Sequence, residues 1–321
     1  MDTDSTLIPD QAKPTAARPA EPAGLCIEAA APECFSTHSI SQLRHTYHEH
    51  PLLQLDALAD LALQLVPHGL TRFLRPGTTQ TSEFSHEATS ADGRSVQEVF
   101  RQIEEPGSWV ALYNVETIAV YRELLEEIVR KASPLYANQQ HDLFKIDGFI
   151  FISAPPSVTP FHIDRENNFW LQLRGRKLMS VWDCNDREVV RAEHVERFVV
   201  NRNLDAVRLR PEHRARALDF DVGPGDGVYF PSTSPHMTSC DRSWVSAGNA
   251  VSVSMGVVFH SRETRRAAQV HCVNELLRRR LGLSPAYPGQ SRWGDAWKQA
   301  AGGALTALRE TRGHPPVPGL K

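Results

Sequence analysis

The chain has 321 residues, 41% hydrophobic and 23% charged, with 35 basic and 38 acidic residues for a formal net charge of −3. That balance excludes the basic footprint of a nucleic-acid-binding domain, and no apolar run reaches the roughly 18 residues of a membrane-spanning helix. Five widely spaced cysteines (Cys26, Cys34, Cys184, Cys240, Cys272), with no Cys-x-x-Cys pair, argue against a disulfide framework or a zinc knuckle and for reduced thiols in a cytoplasmic protein.

Residues 1–24 are rich in Pro, Ala, Asp and Thr and read as a disordered leader without the basic and apolar regions of a secretory signal. Residues 25–143 read as a helical and mixed flank. From His38 to about Val66 the pattern turns helical, with Leu53, Ala57, Leu58, Leu61 and Leu65 at three- and four-residue spacing. His45, His48 and His50 beside Glu49 form a rival metal cluster, but polar residues at a helix entry account for them more simply. Residues 78–92 are polar and turn-prone, which suggests a surface excursion. Gly107–Tyr113 reads as a short strand. Ile118, Tyr121, Leu124, Leu125, Ile128 and Val129 mark an amphipathic helix over about 115–131.

From Phe144 the period changes to two. A turn at Asp147-Gly148 leads into a strand, Phe149–Ser153, and a bend, Ala154–Val158. A second strand, Phe169–Leu173, turns at Arg174-Gly175-Arg176 and returns from Lys177. Residues 185–216 are a charged insertion with a helix near 190–197. Strands resume at 217–222 and 228–231, and a last one spans 250–259. Short strands divided by Gly and Pro turns indicate a mainly β core over 144–261, a double-stranded β-helix of the cupin or jelly-roll kind with helical flanks. Residues 262–321 hold two helices, 264–281 and 295–311, and a Pro-rich tail from Gly313. Val270, Val273, Leu276 and Leu277 form an apolar stripe on the first, while Arg278, Arg279 and Arg280 complement the dipole at its end.

The chemistry concentrates in Thr159–Lys177. His162 and Asp164 stand two apart on one strand face, an imidazole and a carboxylate directed together. A second histidine from another strand would complete a 2-His-1-carboxylate iron site with open coordination positions. His236, after the proline-stiffened loop Pro231-Ser-Thr-Ser-Pro235, is the candidate.

Val158-Thr-Pro-Phe-His-Ile-Asp164, Asn168-Phe-Trp-Leu-Gln-Leu-Arg-Gly-Arg-Lys177 and Gly223-Pro-Gly-Asp-Gly-Val-Tyr-Phe-Pro231 with Pro235-His236 resemble the cupin-like JmjC oxygenases, the asparaginyl-hydroxylase branch in particular. The resemblance implies iron(II) held by His162, Asp164 and His236, with 2-oxoglutarate and O2 as co-substrates. Thr159 and Lys177 would hold the far carboxylate of 2-oxoglutarate, and Asn168 matches an active-site asparagine. It also implies a homodimer through the C-terminal helices. The expected activity is hydroxylation of a C–H bond in a peptide, a protein or a small molecule, with no nucleic-acid or membrane partner.

One departure stands out. The branch carries a further asparagine on the strand after the second histidine, where this chain has Ser252 and Ser254, with Asn249 just before the strand. Arg242, the arginine nearest behind His236, sits in a polar loop. The alternative is a non-oxygenase cupin, an isomerase or ligand-binding module, which needs additional histidines or glutamates around the metal. Glu166 is the nearest such residue and reads as facing solvent.

Overall fold

The computed structural model describes residues 24–74, 78–84, 86–245 and 250–311. All but Gly24 of the expected leader, the tail from Gly313 and Asn249 lie outside them.

In the N-terminal flank, strands β1 (Ile27–Ala29) and β2 (Ser41–His45) precede helix α1 (Leu55–Leu65). Strands β3 (Thr71–Leu74) and β4 (His86–Glu87), helix α2 (Val96–Arg101), strand β5 (Trp109–Leu112) and helices α3 (Ala119–Lys131) and α4 (Ser133–Tyr136) follow. The core runs through β6 (Phe144–Ser153), β7 (Ser157–His162), β8 (Asn167–Arg174), β9 (Lys177–Val181), helix α5 (Ala192–Asn201), β10 (Leu218–Val222), β11 (Asp226–Phe230), β12 (His236–Cys240) and β13 (Ser252–His260). Helices α6 (Arg262–Leu281) and α7 (Arg292–Thr311) close the described chain.

Two antiparallel sheets result. The larger has the order β1-β2-β11-β8-β13-β6-β5-β3-β4, the smaller β10-β9-β12-β7. β8, β11 and β13 of the first face β9 and β10 of the second across a shared interior, which is the jelly roll. Trp170, Val228 and Phe230 from one sheet meet Met179, Val181 and Val222 from the other in its interior. Strand alternation sends Phe169, Leu171 and Leu173 of β8 outward, where they join the core shared with α1 and α3. Asn168, Trp170 and Gln172 are thereby directed inward, where all three are buried.

Two expectations change. The helix read from His38 starts only at Leu55, because β2 alternates in burial and pairs with β11. Asp147-Gly148 is not a turn but the middle of β6: a Cβ at Gly148 would lie 2.7 Å from side-chain carbons of Leu125 and Val115, so the glycine is there to admit α3. In the C-terminal helices, Val270 and Val273 are buried within the chain's own packing, while Trp293, Trp297 and Leu308 of α7 are exposed. Among the described residues no helix is long and apolar enough to cross a membrane.

Candidate active site

The site begins with a proline in a strand. β7 is an edge strand of the smaller sheet, and Pro160 within it has no N–H to give to a ladder. The register slips there: His162 faces His236 on β12, but Thr159, three residues back, faces Thr238, only two residues on. This bulge reverses the simple alternation between Thr159 and His162. Phe161 is left pointing outward, against Trp182 at 5.1 Å between ring centroids.

His162, Asp164 and His236 converge, each offering an atom within 4.8 Å of the others. The two imidazole centroids are 4.1 Å apart, and His236 Nε2 is 3.4 Å from Asp164 Oδ2. His162 Nδ1 lies 2.7 Å from the Pro160 carbonyl and His236 Nδ1 3.0 Å from the Ser234 carbonyl. A carbonyl only accepts, so both Nδ1 atoms donate and Nε2 is the ring atom that each histidine would offer to a metal. Burial pushes His236 down to about 4, so it is neutral at physiological pH. Burial, then the charge of Glu166, pushes Asp164 up to about 7, with Arg165 opposing. Two imidazoles that each present Nε2 and a carboxylate whose proton a cation readily displaces fit a divalent first-row metal. The Asp164 carbonyl accepts from Thr233 N at 2.7 Å, and Thr233 is held at φ 64°, so the two ligand loops are tied together.

Lys177 is 2% exposed, and burial lowers its affinity for a proton. Its Nζ donates to Ser254 Oγ at 3.2 Å, and among the described residues no carboxylate pairs with it. It lies on β9 four residues from Val181, which is opposite His236. Thr159 is buried on β7 across from Thr238, with Met179 of β9 on Thr238's other side. Asn168 is buried, and its Oδ1 has no hydrogen-bond partner. Gly256 on β13, which pairs with Trp170, leaves room for that amide, since a Cβ there would meet Asn168 Oδ1 at 3.3 Å. Ser254 thus faces the cavity, whereas Arg242 is exposed and Arg176 pairs outside with Asp221.

Three features were not legible. Phe84, in the segment read as a surface excursion, stacks on His162 with centroids 4.0 Å apart and planes at 12°. The bulge explains how: the Phe161 N–H it frees donates to the Gln80 carbonyl at 3.1 Å. Glu166 does not face solvent but lies 3.2 Å from the buried His260; burial raises its pKa, and the hydrogen bond and charge of His260 outweigh that, leaving it at about 2. Tyr113, at the end of β5, is held above the usual phenol range by burial and by the charge of Asp164. The rival cluster dissolves, because His45 belongs to β2 and His50 caps a turn by accepting from Leu52 N. Among the described residues, His162, Asp164 and His236 are the one group with metal-binding geometry, so the additional ligands of the cupin alternative are not there.

Residues 136–264 match the family model of the JmjC domain. No curated protein matches the chain. Among solved structures it is similar to the ribosomal oxygenase YcfD of Escherichia coli, at 16% identity over 88% of this chain and 68% of that one, with a TM-score of 0.43. The same protein with cobalt and 2-oxoglutarate aligns at 17% identity over 89% and 68%, with a TM-score of 0.45. The non-heme alpha-ketoglutarate-dependent epimerase SnoN from nogalamycin biosynthesis aligns at 10% over 70% and 78%, with a TM-score of 0.39.

Proposed function

We propose that this JmjC oxygenase, dependent on iron(II), 2-oxoglutarate and O2, holds its metal through His162, Asp164 and His236 and hydroxylates a C–H bond of a peptide, protein or small-molecule substrate. The observation that carries the reading is the buried Lys177 ammonium, which shares the jelly-roll interior with the triad. An unpaired buried cation is costly, and a dicarboxylate supplies the missing anion. Lys177 and Thr159 would bind its far carboxylate, and Asn168 would orient the bound co-substrate from β8. The bound iron supplies the oxidising chemistry, and the chain supplies orientation and a site closed to water. His162 and His236 are held in orientation through their Nδ1 hydrogen bonds, Asp164 is the one anionic ligand of the three, and Phe84 walls one side.

The catalytic unit is residues 144–261, with 25–143 and 262–321 as flanks. We place the enzyme in the cytoplasm, a reading supported by free thiols at all five cysteines. Self-association through the C-terminal helices would use the exposed Trp293, Trp297 and Leu308 rather than the buried Val270 and Val273.

The test is aerobic incubation of the full chain with iron(II) and labelled 2-oxoglutarate against peptide and metabolite pools. Peptides of ribosomal proteins form one arm, because YcfD is a ribosomal oxygenase. Succinate formation that depends on Asp164 and is stimulated by one pool supports the reading. The absence of 2-oxoglutarate turnover from metal-loaded protein in every pool overturns it.

A further inference from the structure

A cavity of about 280 Å³ lies between the loops after Asp164 and before His236 on one side and helix α6 with residues 287–289 on the other. Asn167, Asn185, Ser232, His271 and Tyr287 are among the residues lining it, and none of the three candidate metal ligands is. Arg165 and Glu263 are the charged residues on its wall, and two further cations stand behind its Tyr287 and His271 side without lining it. The Arg187 guanidinium stacks 4.2 Å from the Tyr287 ring centroid, and all three of its nitrogens are buried without a hydrogen-bond partner. Lys298 is 4% exposed, and its Nζ donates to the Ala286 carbonyl at 3.1 Å, in the segment that also holds Tyr287.

Among the described residues neither cation has a carboxylate within ion-pair distance, and the acids nearby are engaged elsewhere. Glu263 binds His141, Glu196 binds Arg278, and Asp295 accepts from the Gly289 amide. His271, 3% exposed on the cavity wall, has an Nδ1 without a partner. Burial, then the charges of Arg187 and Lys298, push it down to about 3, so it cannot be the source of the positive potential but does register it. Two buried cations without counter-charge, beside a neutral imidazole that is still short of a hydrogen bond, are stable together when an anion completes them.

We propose that this cavity binds a small oxyanion, a carboxylate or a phosphate group on a compact body, in the field of Arg187 and Lys298 with His271 as a hydrogen-bond partner. None of His162, Asp164, His236, Thr159, Asn168 and Lys177 lines it, and the inference does not depend on the iron reading. It does border the catalytic apparatus: Ser232 Oγ, on its wall, donates to the Arg165 carbonyl at 2.7 Å, and its neighbour Thr233 donates to the Asp164 carbonyl. Occupancy therefore bears on the loops that hold two of the metal ligands.

The test is calorimetric titration of the metal-free full chain with inorganic phosphate and, separately, with acetate. Saturable binding of one equivalent is expected for at least one of them, and the tighter arm names the source of the oxyanion. Arg187→Met and Lys298→Met should each raise the Kd at least tenfold, while Lys177→Met leaves it unchanged. Should Arg187→Met not fold, Lys298→Met carries the comparison. Absence of saturable binding by both anions, or binding that Lys177→Met abolishes and the other two variants retain, overturns the proposal.

Discussion

Replacing Lys177 by methionine separates the co-substrate reading from the alternatives, because the structure sets the sign of two effects at once. Methionine keeps the length and the apolar stem but removes the charge. Along β9, four residues at about 3.3 Å each put Lys177 roughly 13 Å from the position opposite His236. The lysine stem spans part of that distance, and a five-carbon diacid reaching back to the metal spans the remainder. In the absence of a ligand the ammonium is 2% exposed with Ser254 as its hydrogen-bond partner. Its removal should therefore leave the melting temperature unchanged or raised, since an uncompensated buried charge is lost. With 2-oxoglutarate, a buried charge-assisted contact of about 2–5 kcal/mol is lost, which weakens binding by roughly thirty-fold to several thousand-fold. The assay is titration of 2-oxoglutarate into metal-loaded wild type and variant, with metal content measured on the same samples. Unchanged affinity in Lys177→Met together with weakened affinity in Arg242→Met would refute the reasoning and assign the carboxylate to an arginine.

Asp164→Ala and His162→Ala should each lose bound iron and turnover; stoichiometric metal in both purified variants removes the triad assignment. Phe84→Ala should weaken cobalt(II) binding by roughly two- to twelve-fold, from an aromatic stacking contribution of about 0.5–1.5 kcal/mol; Phe84→Tyr should restore it, and equal affinity in all three proteins shows that the stack does not position His162. Burial, then the charge of Glu116, pushes Asp147 up to about 8. The folded state therefore holds a proton that the unfolded state releases near pH 4, and stability falls as pH rises through that window, by at most about 1.4 kcal/mol per pH unit. Asp147→Asn should flatten this fall, with its largest gain above pH 8 in urea midpoints; an unaltered slope between pH 5 and 9 excludes it. Light scattering of the full chain should give a dimer that Trp293→Glu/Trp297→Glu converts to monomer, and a strict monomer at high concentration rejects self-association through α7.

What the sequence determined on its own was whatever obeys a local period or a short spacing. The alternation in Asn168–Leu173 sets Asn168, Trp170 and Gln172 on one face and Phe169, Leu171 and Leu173 on the other, and the fold turns the first face to the jelly-roll interior and the second to the helices. The candidates His162, Asp164 and His236 were readable as residue types at short spacing, but β7 ends at His162 and Asp164 lies in the loop after it, so the two do not share a strand face. The tertiary structure decided the rest. Local alternation would have set Thr159 and His162 on opposite faces; only the pairing of β7 with β12 creates the bulge at Pro160 that reverses this. That bulge frees the Phe161 N–H, and the hydrogen bond it then makes to Gln80 anchors the segment that places Phe84 on His162, some eighty residues away in sequence. Gly148 read as a turn because a glycine beside an aspartate carries that signal, and its true cause, the close approach of α3, is a contact between distant segments. Glu166 likewise looked solvated until β13 brought His260 beside it. A period is written in neighbouring residues, whereas a bulge, a stacked ring or a buried carboxylate–imidazole contact exists only once two separate stretches have met.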